Sequence, residues 1–181
     1  MKSNIRVIFL PGNGGGDTNQ NFFPYLKTEL EKLGIKVISP GIFPDSEIGR
    51  ESIWMPYIES LNPDENTILI GHSTGAIAAM RYAQNHKILG SVLIGTYHTH
   101  MGIQSEIDAE YFDSPWDWEA IKNNQQWVVE FNAIDDQFIP IEEARHVAKM
   151  LDADYYELEN GGHFYPQDTF PEVIEAIKKH I

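Results

Sequence analysis

Thr67-Ile68-Leu69-Ile70-Gly71-His72-Ser73-Thr74-Gly75-Ala76-Ile77-Ala78-Ala79-Met80-Arg81-Tyr82-Ala83 is the stretch on which the reading of this chain turns. It opens on a short apolar run and closes on a stretch of helix formers, with Gly71-x-Ser73-x-Gly75 between them. A G-x-S-x-G turn that passes directly from strand to helix forces its serine into a strained conformation, which only small flanking residues permit. Ser73 is therefore expected at the helix N-terminus, where the helix dipole and the free backbone N–H of Thr74 favour developing negative charge. With glycine and serine each at about 7% of residues, the pattern arises by chance in about one in twenty chains of this length. The strand before it and the helix after it supply the specificity that the string lacks; a glycine-rich turn around a buried serine is the alternative.

Working outward, further apolar runs lie at residues 5–10, 35–38, 89–94 and 127–131, with a more polar edge candidate at 154–158. Continuous rather than alternating apolar runs mark strands buried on both faces. Between them the spacing turns helical: Phe22, Leu26, Leu30 and Leu33 closed by Gly34, then Ala144, Val147, Ala148 and Leu151. A last helix is predicted from the Thr169-x-x-Glu172 capping box, with Phe170, Val173, Ile174, Ile177 and Ile181 on one face. Strands alternating with helices imply right-handed crossovers, and so the α/β class: a three-layer αβα sandwich around a mostly parallel sheet of about six strands. No repeat or linker interrupts the pattern, and residues 1–181 read as one domain.

Composition narrows the function. The 181 residues carry 27 acidic and 13 basic side chains, a net charge of −14, which repels phosphate backbones and anionic lipids. No nucleic acid and no membrane is expected as a partner. Cysteine is absent, which excludes disulfides, thiol catalysis and Cys-ligated metals and suits a cytoplasmic setting. Lys2 and Arg6 flank an apolar run at 7–10 that is too brief for a signal-peptide core and reads as a first strand.

In a parallel sheet, ligands bind outside the carboxyl ends of the strands, so chemistry is sought just after each run. A serine hydroxyl needs a base, and the base an orienting acid. Asp135-Asp136 follows the fifth run and Gly161-Gly162-His163 the sixth, in the order serine, acid, histidine. After the first run, Pro11-Gly12-Asn13-Gly14-Gly15-Gly16-Asp17 lacks the Gly-Lys-Ser/Thr ending of a phosphate loop, and Asp17 occupies the third glycine position of a dinucleotide fingerprint. Such a loop suits a second backbone N–H aimed at an oxyanion, that of Asn13.

These motifs carry a resemblance over nearly the whole chain. Together with Arg50-Glu51-Ser52-Ile53-Trp54 and Pro115-Trp116-Asp117-Trp118, they resemble the small serine hydrolases of the retinoblastoma-binding protein 9 type, within the α/β-hydrolase superfamily. The resemblance implies a compact fold without the large lid of lipases, and a triad on Ser73, Asp136 and His163. Asp136 also stands in the D-x-x-[VI]-P spacing common at the acid of such enzymes, leaving Asp135 to bond turn N–H groups. The chain departs from the family at Leu61-Asn62-Pro63-Asp64-Glu65, where proline replaces the cysteine of a Leu-x-Cys-x-Glu motif. A retinoblastoma-type partner is therefore not expected.

The expectation is a metal-independent serine hydrolase without cofactor, cleaving an ester, thioester or amide of a small-molecule substrate through an acyl-enzyme. Thr74 and Asn13 would supply the oxyanion N–H groups. A protein-interaction module on the same fold is the alternative. His98 and His100 form a His-x-His pair with no third ligand in sight and read as loop histidines, and His72 as a packing residue. Tyr97, Tyr111, Phe112 and Trp116, in the long segment after the fourth run, are candidate substrate contacts, although such a cluster also serves to anchor a loop to the core.

Overall fold

A continuous apolar strand divides by parity once it is laid into a sheet, because successive side chains point to opposite faces. In β1 (Arg6–Leu10), Val7 and Phe9 enter one core while Ile8 and Leu10 enter the other. The same split runs through β3 (Thr67–His72), with Ile68 and Ile70 opposed to Leu69, and β4 (Gly90–Ile94), with Val92 and Ile94 opposed to Leu93. In β5 (Trp127–Ala133), Val129, Phe131 and Ala133 oppose Val128. The more polar β2 (Lys36–Ile38) and β6 (Asp154–Leu158) form the edges of a parallel sheet ordered β2-β1-β3-β4-β5-β6. The computed structural model describes residues 4–181, and Lys2, set by its sequence position beside the first apolar run, lies outside them.

Helices complete the three layers. α1 (Phe23–Lys32) and α7 (Pro171–Lys178) cover the face of Val7 and Phe9. α2 (Glu51–Ser60), α3 (Thr74–Asn85), α5 (Trp118–Asn123) and α6 (Ile141–Leu151) cover the other. A short α4 (Gln104–Asp108) lies between β4 and α5. Adjacent strands β1 and β3 send their following helices, α1 and α3, to opposite faces, which opens a crevice at the carboxyl ends of those two strands. Among the described residues, no helix is long and apolar enough to cross a membrane.

Two local expectations need correction, and three helices were not foreseen. Leu33 and Ile181 are exposed, because each lies beyond the last helical residue of its segment, Lys32 and Lys178. The Thr169-x-x-Glu172 capping box does not form. Pro171 occupies the first helical position with its fixed φ and holds Phe170 extended as the cap (φ −147°, ψ 72°), so Thr169 falls one residue too early. Finally α2, α4 and α5 were not marked by apolar periodicity, and α2 even carries Pro56 within it.

Candidate active site

The turn after β3 has the strain its sequence demands. Ser73 adopts φ 54°, ψ −123° as the cap of α3, a backbone region that costs a non-glycine residue of order 1–3 kcal/mol. Its N–H donates to the carbonyl of Ile94 at 2.8 Å, so the end of β4 helps to hold it. Small neighbours are compulsory: a Cβ on Gly71 would lie 2.3 Å from the Gly75 carbonyl oxygen, and one on Gly75 would lie 2.2 Å from that of Leu10.

Two residues from other strand ends meet beside it. His163 Nδ1 lies 2.8 Å from Asp136 Oδ2, and the Asp136 side chain is only 3% exposed. The second oxygen of that carboxylate accepts from the backbone N–H of Phe138 (2.8 Å) and Ile139 (3.1 Å), which fixes its orientation. Asp135 faces elsewhere. Its Oδ1 accepts from both Gly161 N–H and Gly162 N–H at 2.8 Å, bonds that hold its carboxyl below the usual range and tie down the loop carrying His163.

His72 is almost fully buried, and its pKa is pushed down to about 3 by burial first and then by the neighbouring His163. The ring is therefore neutral, and its Nε2–H donates to the His163 carbonyl at 2.8 Å. The His163 imidazole is further confined by Phe138, edge-on at 5.2 Å, and by Gly95, where a Cβ would approach to 3.3 Å.

Ser73 and His163 line one cavity of about 530 Å³ at the crevice between β1 and β3. No side-chain hydrogen bond joins Ser73 Oγ to the imidazole among the described residues. Asn13 lines the same cavity, and Thr74 begins α3 directly behind the serine. Neither the Asn13 nor the Thr74 N–H donates to another backbone group in the turns and loops described.

Comparison with known proteins gives the family and the fold. The family described as serine hydrolase matches residues 47–178. Serine hydrolase RBBP9 of Rattus norvegicus is 41% identical over 182 aligned positions, covering 98% of this chain and 96% of its own. The chain belongs to the serine hydrolase family. Its fold is that of α/β hydrolases: the solved structure of the ydeN gene product from B. subtilis superposes with a TM-score of 0.86 at 21% identity, covering 97% of this chain and 98% of the other. Est1E from Butyrivibrio proteoclasticus superposes at 0.72 with 13% identity, over 99% of this chain and 87% of its own.

The remaining wall of this hydrolase's cavity differs from the sequence expectation. Tyr97 lines it, but Tyr111, Phe112 and Trp116 do not. Tyr111 is buried in the core, and Phe112 and Trp116 line a separate shallow depression with His98 and His100. The cause is Arg81 on α3, whose side chain is 2% exposed. Its guanidinium donates to the carbonyls of Tyr111, Ser114 and Pro115 and lies 3.7 Å from the ring centroid of Trp116. Those contacts draw the segment against α3 and away from the serine. The cavity lip is made instead by Met101, Ile103, Phe138 and Tyr165, which the sequence did not single out.

His98 and His100 keep separate partners. His98 stacks on His146 at 4.1 Å with Nδ1 2.9 Å from Glu143 Oε2, while His100 Nδ1 accepts from Gly102 N–H. Glu106 is a further residue the sequence reading missed. It is buried in the cavity wall, and nothing in the apolar pattern of the chain marks so short a helix as α4.

Proposed function

We propose that this hydrolase cleaves an ester, thioester or amide of a small substrate through an acyl-enzyme on Ser73. The observation that carries the reading is a strained serine at a helix N-terminus, sharing a cavity with an imidazole whose far nitrogen is bonded to a buried carboxylate. Substrate binding brings Ser73 Oγ and His163 Nε2 together, a contact that commonly tightens only in the complex. His163 takes the hydroxyl proton as Ser73 attacks the carbonyl carbon, and Asp136 holds the Nδ1–H and stabilises the imidazolium. The N–H groups of Thr74 and Asn13 receive the oxyanion, with the α3 dipole behind them. His163 then gives its proton to the leaving group. Water enters by the same route in reverse and releases the acid. Nucleophile, base and charge stabilisation all come from the chain itself, so activity should survive EDTA.

Exposed Phe138 and Tyr165, with Ile103, form an apolar lip on the cavity, which favours an apolar group on the substrate. The test is Ser73→Ala against wild type, with a fluorophosphonate probe and a panel of p-nitrophenyl esters and aminoacyl amides. Loss of both labelling and turnover in a folded variant is expected; turnover that persists in the alanine variant would refute the mechanism.

A further inference from the structure

The two proposed oxyanion donors come from different elements, Asn13 from the loop after β1 and Thr74 from the start of α3, and a residue outside the triad is connected to both. Glu106 is 7% exposed, and both of its carboxylate oxygens are engaged. Oε1 accepts from Asn13 Nδ2 at 3.1 Å, and Oε2 accepts from the Tyr97 hydroxyl at 2.5 Å. The Asn13 amide has only one orientation here, because the other partner of its nitrogen is also an acceptor, the Ile48 carbonyl at 3.2 Å.

Tyr97 is fully enclosed. Burial, then the charge and hydrogen bond of Glu106, push its phenol well above the usual range, so it keeps its proton and donates it to the carboxylate. With that proton committed, the Thr74 hydroxyl, 3.3 Å from the Tyr97 oxygen, must be the donor of the pair. The chain of bonds therefore has one sense: Thr74 to Tyr97 to Glu106, met from the other side by Asn13. A carboxylate is the side chain that can terminate both arms, since it accepts on both oxygens and offers no competing proton.

We infer that Glu106 is a positioning residue that clamps the oxyanion site, holding Asn13 of the loop after β1 and Thr74 of α3 at a fixed separation. This rests on the reading of Ser73 as nucleophile. Oxyanion donors stabilise the transition state only if they are in place before charge develops, and a displacement near 1 Å costs about 100-fold in rate. The clamp arrives from α4, the element between β4 and α5, so the segment after β4 serves the reaction through a carboxylate rather than through its aromatic rings.

Glu106→Gln is nearly isosteric but removes the charge and one acceptor. Its NH2 must face either Asn13 Nδ2, donor against donor, or the Tyr97 hydroxyl, which then accepts from it and turns its own proton toward Thr74, reversing that arm of the chain. Expected is a fall in kcat of about 10- to 100-fold with KM within about 2-fold, and a parallel loss of affinity for a trifluoromethyl ketone transition-state analogue. Affinity for the product acid should hold. Tyr97→Phe cuts one arm alone and should cost less, and Tyr97→Phe added to Glu106→Gln should cost nothing more, because the hydroxyl acts through the carboxylate.

The inference is overturned if both single variants keep kcat/KM within about 2-fold of wild type, if the loss lies in KM, or if the two changes are additive. Should Glu106→Gln fail to fold by near-ultraviolet circular dichroism, Tyr97→Phe decides alone: parallel loss of kcat and analogue affinity supports the clamp, and unchanged values overturn it. Ser73→Ala run alongside separates the two ideas. Turnover surviving there removes the nucleophile reading, whereas turnover abolished there with Glu106→Gln unchanged removes only the clamp.

Discussion

The turns after β3, β5 and β6 and the long connection after β4 start from the same edge of the sheet and end differently. Ser73, Asp136 and His163 lie one, three and five residues beyond His72, Ala133 and Leu158, the last residues of their strands. With so little chain to spend, their direction is nearly that of the strand end: Ser73 and His163 reach one cavity, and Asp136 is bonded to the imidazole of His163. Tyr111, Phe112 and Trp116 lie far beyond Ile94, where β4 ends, and the chain between has room to turn back on itself. Arg81 uses that room, capturing the carbonyls of Tyr111, Ser114 and Pro115. Chemistry-bearing residues close to a strand end are placed by the sheet, whereas distant ones go where tertiary contacts take them.

The largest effect that can break this comparison sits in the short turns, where two adjacent carboxylates face different partners. Asp136→Asn removes the acceptor on His163 Nδ1 and permits the wrong tautomer, a change that costs about 10⁴ in kcat in chymotrypsin-type triads. A loss of that scale is expected here. Asp135→Asn retains an oxygen able to accept from Gly161 and Gly162 N–H and should stay near wild type. Measured kcat for the pair checks it, and a larger loss at Asp135 would reverse the assignment.

A smaller effect separates cavity lip from anchor. Phe138→Ala removes a lip side chain and should raise KM for apolar esters about 3- to 10-fold, with the fold unperturbed because the ring is exposed. Trp116→Ala should leave KM within about 2-fold. It should instead lower the Tm, because the indole covers Arg81 and donates to the His98 carbonyl at 2.9 Å. Steady-state kinetics and thermal melts on the same two variants suffice, and a KM effect confined to Trp116 would return that ring to the substrate.

A third prediction concerns how the connection after β4 is tied to the sheet. Asn132 on β5 accepts from Thr96 N–H at 2.7 Å and donates to Glu130 at 2.7 Å, and burial pushes the Glu130 carboxyl well above its ordinary value. The folded protein therefore binds a proton that the unfolded chain releases near pH 4.5, so this group stabilises most below that pH and its contribution falls as pH rises. Glu130→Gln should remove up to about 1.4 kcal/mol per pH unit from the slope of stability above that point. Urea midpoints between pH 5 and 8 test it; parallel slopes in the two proteins would refute the buried protonated acid.

The smallest expected effect is none. Residues 61–65 close α2 in a turn, with Leu61 helical and Asn62 at φ 53°, and Pro63 removes a backbone donor. A retinoblastoma-type pocket that takes Leu-x-Cys-x-Glu should not bind this protein. Micromolar binding abolished by Leu61→Ala would contradict that.

Much of the molecule was legible before any coordinates. Five strands were readable because apolar runs have few other destinations in a chain of this length, and the sixth, more polar, was readable only as an edge. The elbow was readable because Gly71, Ser73 and Gly75 carry their own steric explanation. Helices α2, α4 and α5 were harder: Pro56 interrupts the first, and the other two are too short for a periodic pattern to develop. The capping box was misread by one residue, since Pro171 sets the start of α7 more firmly than a threonine hydroxyl can.

What the sequence by itself determined is whatever depends on neighbours along the chain: alternation of strand and helix, the strained serine, and the order of serine, acid and histidine. Only the tertiary structure decided which oxygen Asn13 and Tyr97 would meet, where Arg81 would draw the aromatic segment, and which side chains would line the cavity. Glu106 and Asn13 are 93 positions apart, as are no two residues in any local motif, and their 3.1 Å contact exists only because the sheet brings the ends of β1 and β4 to the same edge. Local rules act through backbone sterics and propensity over a few residues. Long-range pairings depend on packing across the whole fold, and no local pattern records them.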